Sequence, residues 1–280
     1  MEYEIVPLKS GVNSLRSVEL GETFHPVTGP WVEAYVLHVQ QQRLVERSRG
    51  VEKFVIWDVG LGAAANVLAA IEALQDSETC VEIHSFDKTP SAAEFALLHS
   101  EELVYPIPYK TLLRRLLSEK YVQISPRMTW QLHLCDFREQ IKGRNLPAPN
   151  AILYDPYSPV SNPEMWTLDH FRMLRSCLAP ETPCLLTNYT RSTAVRATLL
   201  LAGFYVGIGC EVGEKAETTV ASNHFELLSR PLGLDWVTRI RKSTNAAPMR
   251  SMSYSKGPMQ LEDYEFLIQS PQFRQSIQPS

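Results

Sequence analysis

The sequence lacks the features that direct a chain into or across a membrane. Its longest nearly apolar run, ATLLLAGFYVGIGC from Ala197, is too short and too interrupted by glycine to span a bilayer. The first ten residues, MEYEIVPLKS, contain no basic region followed by an apolar stretch. No low-complexity tract or internal repeat is present. These absences predict a cytoplasmic globular protein with no membrane contact. They leave its oligomeric state open, with a monomer as the simplest expectation.

Cysteines are also few, and their spacing does not match the common metal and disulfide patterns. No C-x-x-C pair occurs, no histidine stands at metal-ligand spacing from a cysteine, and the number of cysteines is odd. We therefore expect no metal site and no disulfide. The five are Cys80, Cys135, Cys177, Cys184 and Cys210.

A net charge of −4 excludes a protein that is basic throughout, although binding depends more on local patches than on totals. One basic patch lies in the tail, where residues 230–256 hold six basic side chains and one acid, Asp235. Another lies on and after YKTLLRRLLSEKY, a predicted helix. Because solvated helix faces commonly carry such charges, nucleic-acid contact is one of two explanations for each patch.

From residue 53 onward, short apolar runs alternate with helical patterns, which is typical of a mostly parallel sheet with helices on both faces. A short connection, EVGEKAE, precedes the last strand and favours an antiparallel neighbour. We therefore predict an α/β, Rossmann-like fold with a mostly parallel seven-stranded sheet and an antiparallel last strand. The predicted strands are KFVIWDVG, VEIHSFD, TWQLHLCD, AILYD, PCLLTNY, FYVGIGC and residues 218–226.

Three segments follow from this pattern. Residues 1–50 are expected to form an N-terminal extension that packs on the core, with two short strands, the turn TFHP and the helix WVEAYVLHVQQQRLVERS. Residues 51–228 would form the Rossmann-like core. Residues 229–280 are less regular and would form a C-terminal basic appendage.

The loop after the first core strand, in WDVGLGAAAN, is typical of a cofactor site. Gly60 and Gly62, followed by small side chains, allow a tight turn into a helix and a close approach of a ligand. Asp87 ends the next strand, where an acid can accept hydrogen bonds from ribose hydroxyls. Because ligands of open α/β sheets lie at the carboxyl ends of the strands, four acids are expected around one crevice. They are Asp58, Asp87, Asp136 and Asp155.

The loop favours S-adenosylmethionine over a nicotinamide dinucleotide. Ala64 replaces the third glycine of the dinucleotide fingerprint, and Asp58 precedes the glycines. A carboxylate would repel a pyrophosphate, whereas it would attract the ammonium and sulfonium groups of S-adenosylmethionine. The D-x-G-x-G pattern therefore resembles motif I of the class I methyltransferases. This resemblance implies that Asp87 holds the ribose and that Asp136 and Phe137 lie near the adenine.

The segment YDPYSPVSNPEMWT is rigid, since proline fixes its own φ and restricts the residue before it. An ordinary proline-rich connection between a strand and a helix is one explanation. However, its order of aspartate, aromatic residue, proline and N-P-x-M-W resembles the motif of the MnmC-like tRNA 5-methylaminomethyl-2-thiouridine methyltransferases. Other segments are similar to that family in the same order, over roughly residues 20–225. They are GETFHPVTGPWVEAYVLHV, GLGAAAN, SFDK and STAVRATLLLAGF.

The sequence departs from the family pattern at three positions. Pro156 replaces a glycine after the aspartate, Pro26 replaces a serine, and Ala64 replaces the third glycine of the loop. Pro156 changes the backbone beside Asp155, so this departure bears on the choice of substrate more than on the choice of cofactor. The sequence contains no counterpart of the flavin-dependent oxidase domain that is fused to many members, which implies a stand-alone methyltransferase without flavin.

The resemblance implies methyl transfer from S-adenosylmethionine to the aminomethyl group at C5 of the tRNA wobble uridine, with Asp155 holding the amine and accepting its proton. Cofactor contacts are expected from Asp58, Gly60, Gly62, Asn66, Asp87, Lys88, Asp136, Phe137 and Glu33. Substrate contacts are expected from Tyr157, Pro159, Trp166 and His25, together with Arg239, Arg241 and Lys242 of the basic tail. A purely structural role is an equal explanation for Trp166, His25 and Glu33.

Two alternatives remain open. D-P-Y is also similar to the D/N-P-P-Y motif of enzymes that methylate amino groups of bases, so the acceptor amine is open. A non-catalytic RNA-binding module that retains the fold is the second alternative, although the acid and the glycine loop argue against it.

Overall fold

The computed structural model describes residues 2–25, 27–143, 145–211, 216–253 and 255–275. Pro26, one of the three departures from the family pattern, lies outside the described residues. No helix within these ranges combines the length and the apolar character needed to cross a membrane.

Two sheets are present in the described residues. The smaller contains β1 Tyr3–Pro7, β2 Asn13–Ser17 and β3 Glu22–Thr23, and the central sheet contains β4 Lys53–Val59, β5 Cys80–Asp87, β6 Tyr121–Ser125, β7 Met128–Leu134, β8 Ala151–Tyr154, β9 Leu185–Asn188, β10 Tyr205–Ile208 and β11 Thr219–Ser222. The order in the central sheet is β10-β11-β9-β8-β4-β5-β7-β6. From β9 to β7 the neighbours are parallel, whereas β11 is antiparallel to both of its neighbours. The mostly parallel sheet and its antiparallel last strand are confirmed.

Helices cover both faces of the central sheet. They are α1 Pro30–Ala34, α2 Leu44–Ser48, α3 Ala65–Leu74, α4 Ser91–Leu98, α5 Ile107–Glu119, α6 Phe137–Lys142, α7 Leu168–Ser176, α8 Thr193–Leu201, α9 Leu234–Ile240, α10 Leu261–Ile268 and α11 Pro271–Gln275. The helix predicted near the N-terminus is divided, because a π-helical turn at Tyr35–Gln40 follows α1 and Arg43 has a φ of +50° before α2. Similarly, a short 3-10 helix at Pro163–Trp166 precedes α7.

The strand that the sequence analysis missed is β6, so the prediction of seven central strands was one short. The helix predicted over YKTLLRRLLSEKY ends at Glu119, because Lys120 has a left-handed backbone with a φ of +60°. Tyr121 then begins β6, which forms an antiparallel hairpin with β7. The alternating segment YVQIS is too short to be separated by periodicity from the end of the preceding helix.

The central strand β4 shows how the sheet builds a core on each side. Val55, Trp57 and Val59 belong to the hydrophobic cluster that includes α7 and α8, whereas Phe54 and Ile56 belong to the cluster that includes α3. Alternate residues of a strand face opposite sides of a sheet, so a strand buried on both faces is nearly continuously apolar.

Both ends of the chain pack against this core. Val39 and Leu44 share a cluster with α3, and Trp236, Ile240 and Phe273 share the cluster of α7 and α8. The C-terminal segment is therefore attached through buried apolar side chains and is more than a basic appendage. The boundaries at residues 50 and 228 remain predictions.

Candidate active site

A cavity of about 610 Å³ lies at the carboxyl ends of β4, β5 and β8, where ligands of open α/β sheets bind. This volume is in the range of small-ligand sites. Its walls come from the loops after these strands and from the segment around β3. Ten of the predicted site residues line it: His25, Glu33, Gly60, Gly62, Asn66, Asp87, Lys88, Phe137, Asp155 and Tyr157.

The loop after β4 is shaped by residues with left-handed backbone angles. Gly60 has a φ of +92°, and a Cβ at this position would lie 2.5 Å from the backbone oxygen of Asp155. Gly62 has a φ of +51°. Ala64, which replaces the third glycine of the family pattern, also has a positive φ, +65°. The loop therefore keeps a glycine-like turn at all three positions, and Ala64 carries the associated strain.

Asp87 holds this loop from the end of β5. Its Oδ2 accepts the N–H of Gly62 over 3.1 Å, and its Oδ1 accepts the N–H of Thr89 over 3.3 Å. Burial raises the pKa of Asp87, while the hydrogen bonds from these backbone groups oppose the rise. Asp87 therefore stabilises the loop and also presents its carboxyl group at the cavity wall.

Asp155 follows β8 and is joined to two other side chains. Its Oδ2 accepts a hydrogen bond from Nδ2 of Asn66 over 2.9 Å. Oδ1 of Asn66 lies 3.1 Å from Nε2 of His25, and this nitrogen lies 3.7 Å from Oδ2 of Asp155. Three segments that are distant in sequence thus meet at one wall, where the side chains of His25 and Asp155 are 11% and 20% exposed.

Glu33 supports the segment that carries His25. Its Oε1 accepts the N–H groups of Val27 and Thr28, each over 2.8 Å, and that of Gly29 over 3.3 Å. His25 itself has a φ of +47°, which is uncommon for a residue with a Cβ. The buried carboxyl group of Glu33 therefore stabilises an otherwise unfavourable turn.

Hydrogen bonds hold the proline-rich segment after β8 in addition to its prolines. Glu22 accepts hydrogen bonds from the N–H of Ser158 over 3.1 Å and from the hydroxyls of Ser158 and Ser161. Tyr157 has a φ of +54°, and its ring packs edge-on against Phe24 with centroids 5.4 Å apart. The N-terminal sheet and the proline-rich segment therefore form one partly aromatic wall.

The charge of the cavity lining is predominantly negative. Among its described residues Lys88 is the one lysine or arginine, and it stands against five acids. This balance favours a cationic ligand over a pyrophosphate. The acids are Glu22, Glu33, Asp87, Asp155 and Glu164.

Comparisons with known proteins agree with this geometry. A family profile described as S-adenosyl-L-methionine-dependent methyltransferase matches residues 101–224. The crystal structure of MNMC2 from Aquifex aeolicus is similar, with a TM-score of 0.73 and 28% sequence identity, over 95% of this chain and 84% of that one. The chain contains an MnmC-like methyltransferase domain.

Two relatives carry the description tRNA 5-methylaminomethyl-2-thiouridine biosynthesis bifunctional protein MnmC. The one from Methylibium petroleiphilum is 29% identical over 220 residues, which is 72% of this chain and 32% of the relative. The one from Ralstonia nicotianae is 27% identical over 225 residues, which is 74% of this chain and 32% of the relative. The chain therefore spans about a third of the length of these relatives.

In this MnmC-like domain, Asp58 lies beneath the glycine loop and outside the cavity lining. It is buried, its Oδ2 accepts a hydrogen bond from the hydroxyl of Ser85 over 2.7 Å, and burial raises its pKa to about 8. The expectation of a charged Asp58 that attracts the cofactor is therefore corrected. Burial favours the neutral form of this carboxyl, and the acids of the lining supply the negative charge.

The residues expected near the adenine are only partly at the cavity. Phe137 lines it and packs against Phe86 with ring centroids 4.8 Å apart. Asp136 does not line it, because Nε and Nη2 of Arg138 bind its carboxylate over 3.0 and 2.6 Å. This pairing lowers the pKa of Asp136 to about 2. Lys88 bridges Asp136 and Glu164, with Nζ–O distances of 3.6 and 3.1 Å.

Trp166 and Pro159 are buried outside the lining, which corrects the expectation that both contact the substrate. Trp166 is 0% exposed, and its Nε1 donates to the backbone oxygen of Tyr157 over 3.1 Å. Its ring also packs edge-on against Tyr154 at 5.3 Å. Because the 3-10 helix turns the indole inward, Trp166 supports the proline-rich segment and cannot stack on a base.

The three tail residues are also outside the cavity lining. Arg239 pairs with Asp235 over 3.3 Å, and the guanidinium of Arg241 lies 5.2 Å from the ring centroid of Tyr264. Lys242 is exposed just after α9. These three side chains can contact a tRNA at the protein surface, but they lie outside the cavity and cannot reach the reacting atoms.

The lining residues that the sequence analysis missed include two acids and two aromatic residues: Glu22, Glu164, Phe24 and Tyr189. Tyr189 directly follows β9, so its position at the carboxyl end of a strand was a usable signal. Glu22 and Phe24 lie in the stretch GETFHP, but no spacing rule connects them with a loop more than 130 residues away.

Proposed function

We propose that this protein is an S-adenosylmethionine-dependent N-methyltransferase that acts on the aminomethyl group at C5 of the tRNA wobble uridine. The product would be 5-methylaminomethyl-uridine or its 2-thio form. The observation that carries the proposal is the carboxylate of Asp155, fixed by Asn66 at the wall of the cavity in a domain similar to MNMC2. The name of the MnmC relatives supplies the substrate class.

The residues of the cavity fit the cofactor. Gly60 and Gly62 keep the loop close to the cavity floor, Asp87 offers its carboxyl group to ribose hydroxyls, and Phe137 offers an apolar surface to an adenine. The acidic lining suits a cation. When bound, S-adenosylmethionine supplies an electrophilic methyl group on a sulfonium.

The chain's own task is to present a neutral amine in line with that methyl group. An ammonium has no lone pair, so a proton must leave the amine before or during the transfer. Asp155 would accept this proton, which leaves the amine neutral and its lone pair free to attack the methyl group that S-adenosylmethionine would supply. Tyr157 and Tyr189, with Phe24, offer aromatic surfaces for the uracil ring.

Nucleoside analysis of tRNA tests the function directly. We expect tRNA that carries free 5-aminomethyl-uridine to gain one methyl group on incubation with the protein and S-adenosylmethionine, and tRNA without the aminomethyl group to gain none. Mass spectrometry of the digested nucleosides measures the product. An Asp169→Ala variant, which removes an exposed acid on α7, is the active control. Methylation of tRNA that lacks the aminomethyl group would instead indicate another acceptor nitrogen, and tRNA binding without any transfer would indicate an RNA-binding module.

Salt dependence tests the contribution of the tail. If Arg239, Arg241 and Lys242 contact tRNA phosphates, replacing all three with glutamine should lower the slope of log affinity against log salt by about two to three. Titrations of tRNA at several salt concentrations measure this slope. The control replaces three exposed cations elsewhere, Arg16, Arg43 and Arg172. An equal slope in both variants would assign the tail to solubility or structure.

A further inference from the structure

We propose that Asn66 is a positioning residue for Asp155 and His25 and not a ligand of the cofactor. The inference rests on the proposed function, because it concerns the orientation of that reaction's proton acceptor. Asn66 is the second residue of α3, so the helix after the glycine loop fixes its backbone. The residue is buried, and both ends of its amide already have partners within the protein.

Chemistry determines the hydrogen-bond roles in this cluster. An ionised carboxylate only accepts, so Nδ2 of Asn66 faces Asp155 and its Oδ1 faces His25. This oxygen also only accepts, so Nε2 of His25 carries a proton. Nδ1 of His25 is buried without a hydrogen-bond partner among the described residues, and a proton there would be an unpaired buried donor. The hydrogen-bond partners therefore place the proton of the His25 ring on Nε2.

The same arrangement leaves one oxygen of Asp155 for the substrate. Oδ2 is engaged by Asn66, whereas Oδ1 has no hydrogen bond to any residue in the described part of the chain. The amine thus meets a carboxylate of fixed orientation with one open acceptor, and its proton passes to Oδ1. Without the amide of Asn66, the carboxylate of Asp155 can rotate and His25 loses its acceptor.

Nitrogen NMR of the histidine side chains tests the arrangement without any turnover. We expect the wild-type His25 signal, assigned by its disappearance in His25→Gln, to show a protonated Nε2 and an unprotonated Nδ1. Asn66→Ala removes the acceptor of Nε2–H, so it should lose this signature. An Nδ1–H tautomer in the wild type, or an unaltered signature in Asn66→Ala, would overturn the inference.

Kinetics with aminomethyl-uridine tRNA test the consequence for Asp155. Asn66→Leu is nearly isosteric and has no donor for Asp155, so kcat should fall about tenfold or more with little change in the KM for tRNA. Calorimetry should show little change in the affinity for S-adenosylmethionine. Asn13→Leu is the matched control, since Nδ2 of Asn13 donates to the backbone oxygen of Glu102, and neither residue lines the cavity.

Different results would contradict the proposed function and the inference about Asn66. A wild-type protein that forms no methylaminomethyl-uridine contradicts the proposed function, while the histidine tautomer and the calorimetry still decide the place of Asn66. An active wild type with unchanged kcat in Asn66→Leu contradicts the inference alone. Loss of cofactor affinity at unchanged saturating kcat would make Asn66 a cofactor ligand and also overturn it.

Discussion

Replacing Asp155 with alanine should lower the turnover of aminomethyl-uridine tRNA by about a hundredfold or more, the scale of a positioned proton acceptor. The affinity for S-adenosylmethionine should survive, because the glycine loop is held by Asp87 and not by the Asp155 side chain. Higher pH should restore part of the rate, since an alkyl amine has a reference pKa of about 10.4 and its neutral fraction rises with pH. Single-turnover assays over a pH series, with calorimetry of the cofactor, measure both effects.

Asp155→Asn separates charge from geometry in the same position. Its amide keeps the shape but accepts no proton, so it should resemble the alanine variant in turnover if proton acceptance matters. Substantial recovery in Asp155→Asn would indicate that orientation of the amine is sufficient. Near-normal turnover in Asp155→Ala combined with lost cofactor affinity would move the proline-rich segment to the cofactor site, and our assignment of Asp155 would be wrong.

The sequence predicted those parts of the site that follow from sheet topology. Gly60, Asp87 and Asp155 each lie at or just beyond the carboxyl end of a parallel strand, so recognising the strands placed them at one edge. The rigidity of the proline-rich segment was also readable, since the φ of proline is fixed. The antiparallel last strand followed from a short connection.

The parts that the sequence did not predict depend on side-chain direction and on long-range partners. Strand alternation alone did not show that Asp58 points into the protein, where burial raises its pKa to about 8. The sequence was compatible with Trp166 stacking on a base, but the 3-10 helix turns its indole into the core. The bond between Glu22 and Ser158 spans 136 residues, and the bond between Asn66 and Asp155 spans 89. A single sequence carries no periodic signal for such pairs.

Among the glycine substitutions, Gly60→Ala should have the largest effect on methyl transfer, because it changes both the backbone strain at residue 60 and the position of the segment that carries Asp155. The φ of +92° disfavours any residue with a Cβ, and the new Cβ would lie 2.5 Å from the backbone oxygen and 2.9 Å from the backbone carbon of Asp155. Backbone atoms cannot move aside as a flexible side chain can. Either the loop after β4 or the segment of Asp155 must shift, and a shift of about 1 Å at reacting groups can cost about a hundredfold in rate.

Gly203→Ala isolates the strain from this displacement. Gly203 has the same φ of +92°, yet a Cβ there would meet only Cγ of Arg175 at 3.9 Å, which is ordinary contact. Both variants should lose about 1–2 kcal/mol of unfolding free energy from the left-handed backbone, with a further loss for Gly60→Ala. Only Gly60→Ala should also lose methyl transfer and cofactor affinity, because only Gly60 lies against Asp155. Denaturant unfolding measures the unfolding free energy, calorimetry measures the cofactor affinity, and the tRNA assay measures methyl transfer. Equal activity in the two variants would show that the segment carrying Asp155 tolerates the shift.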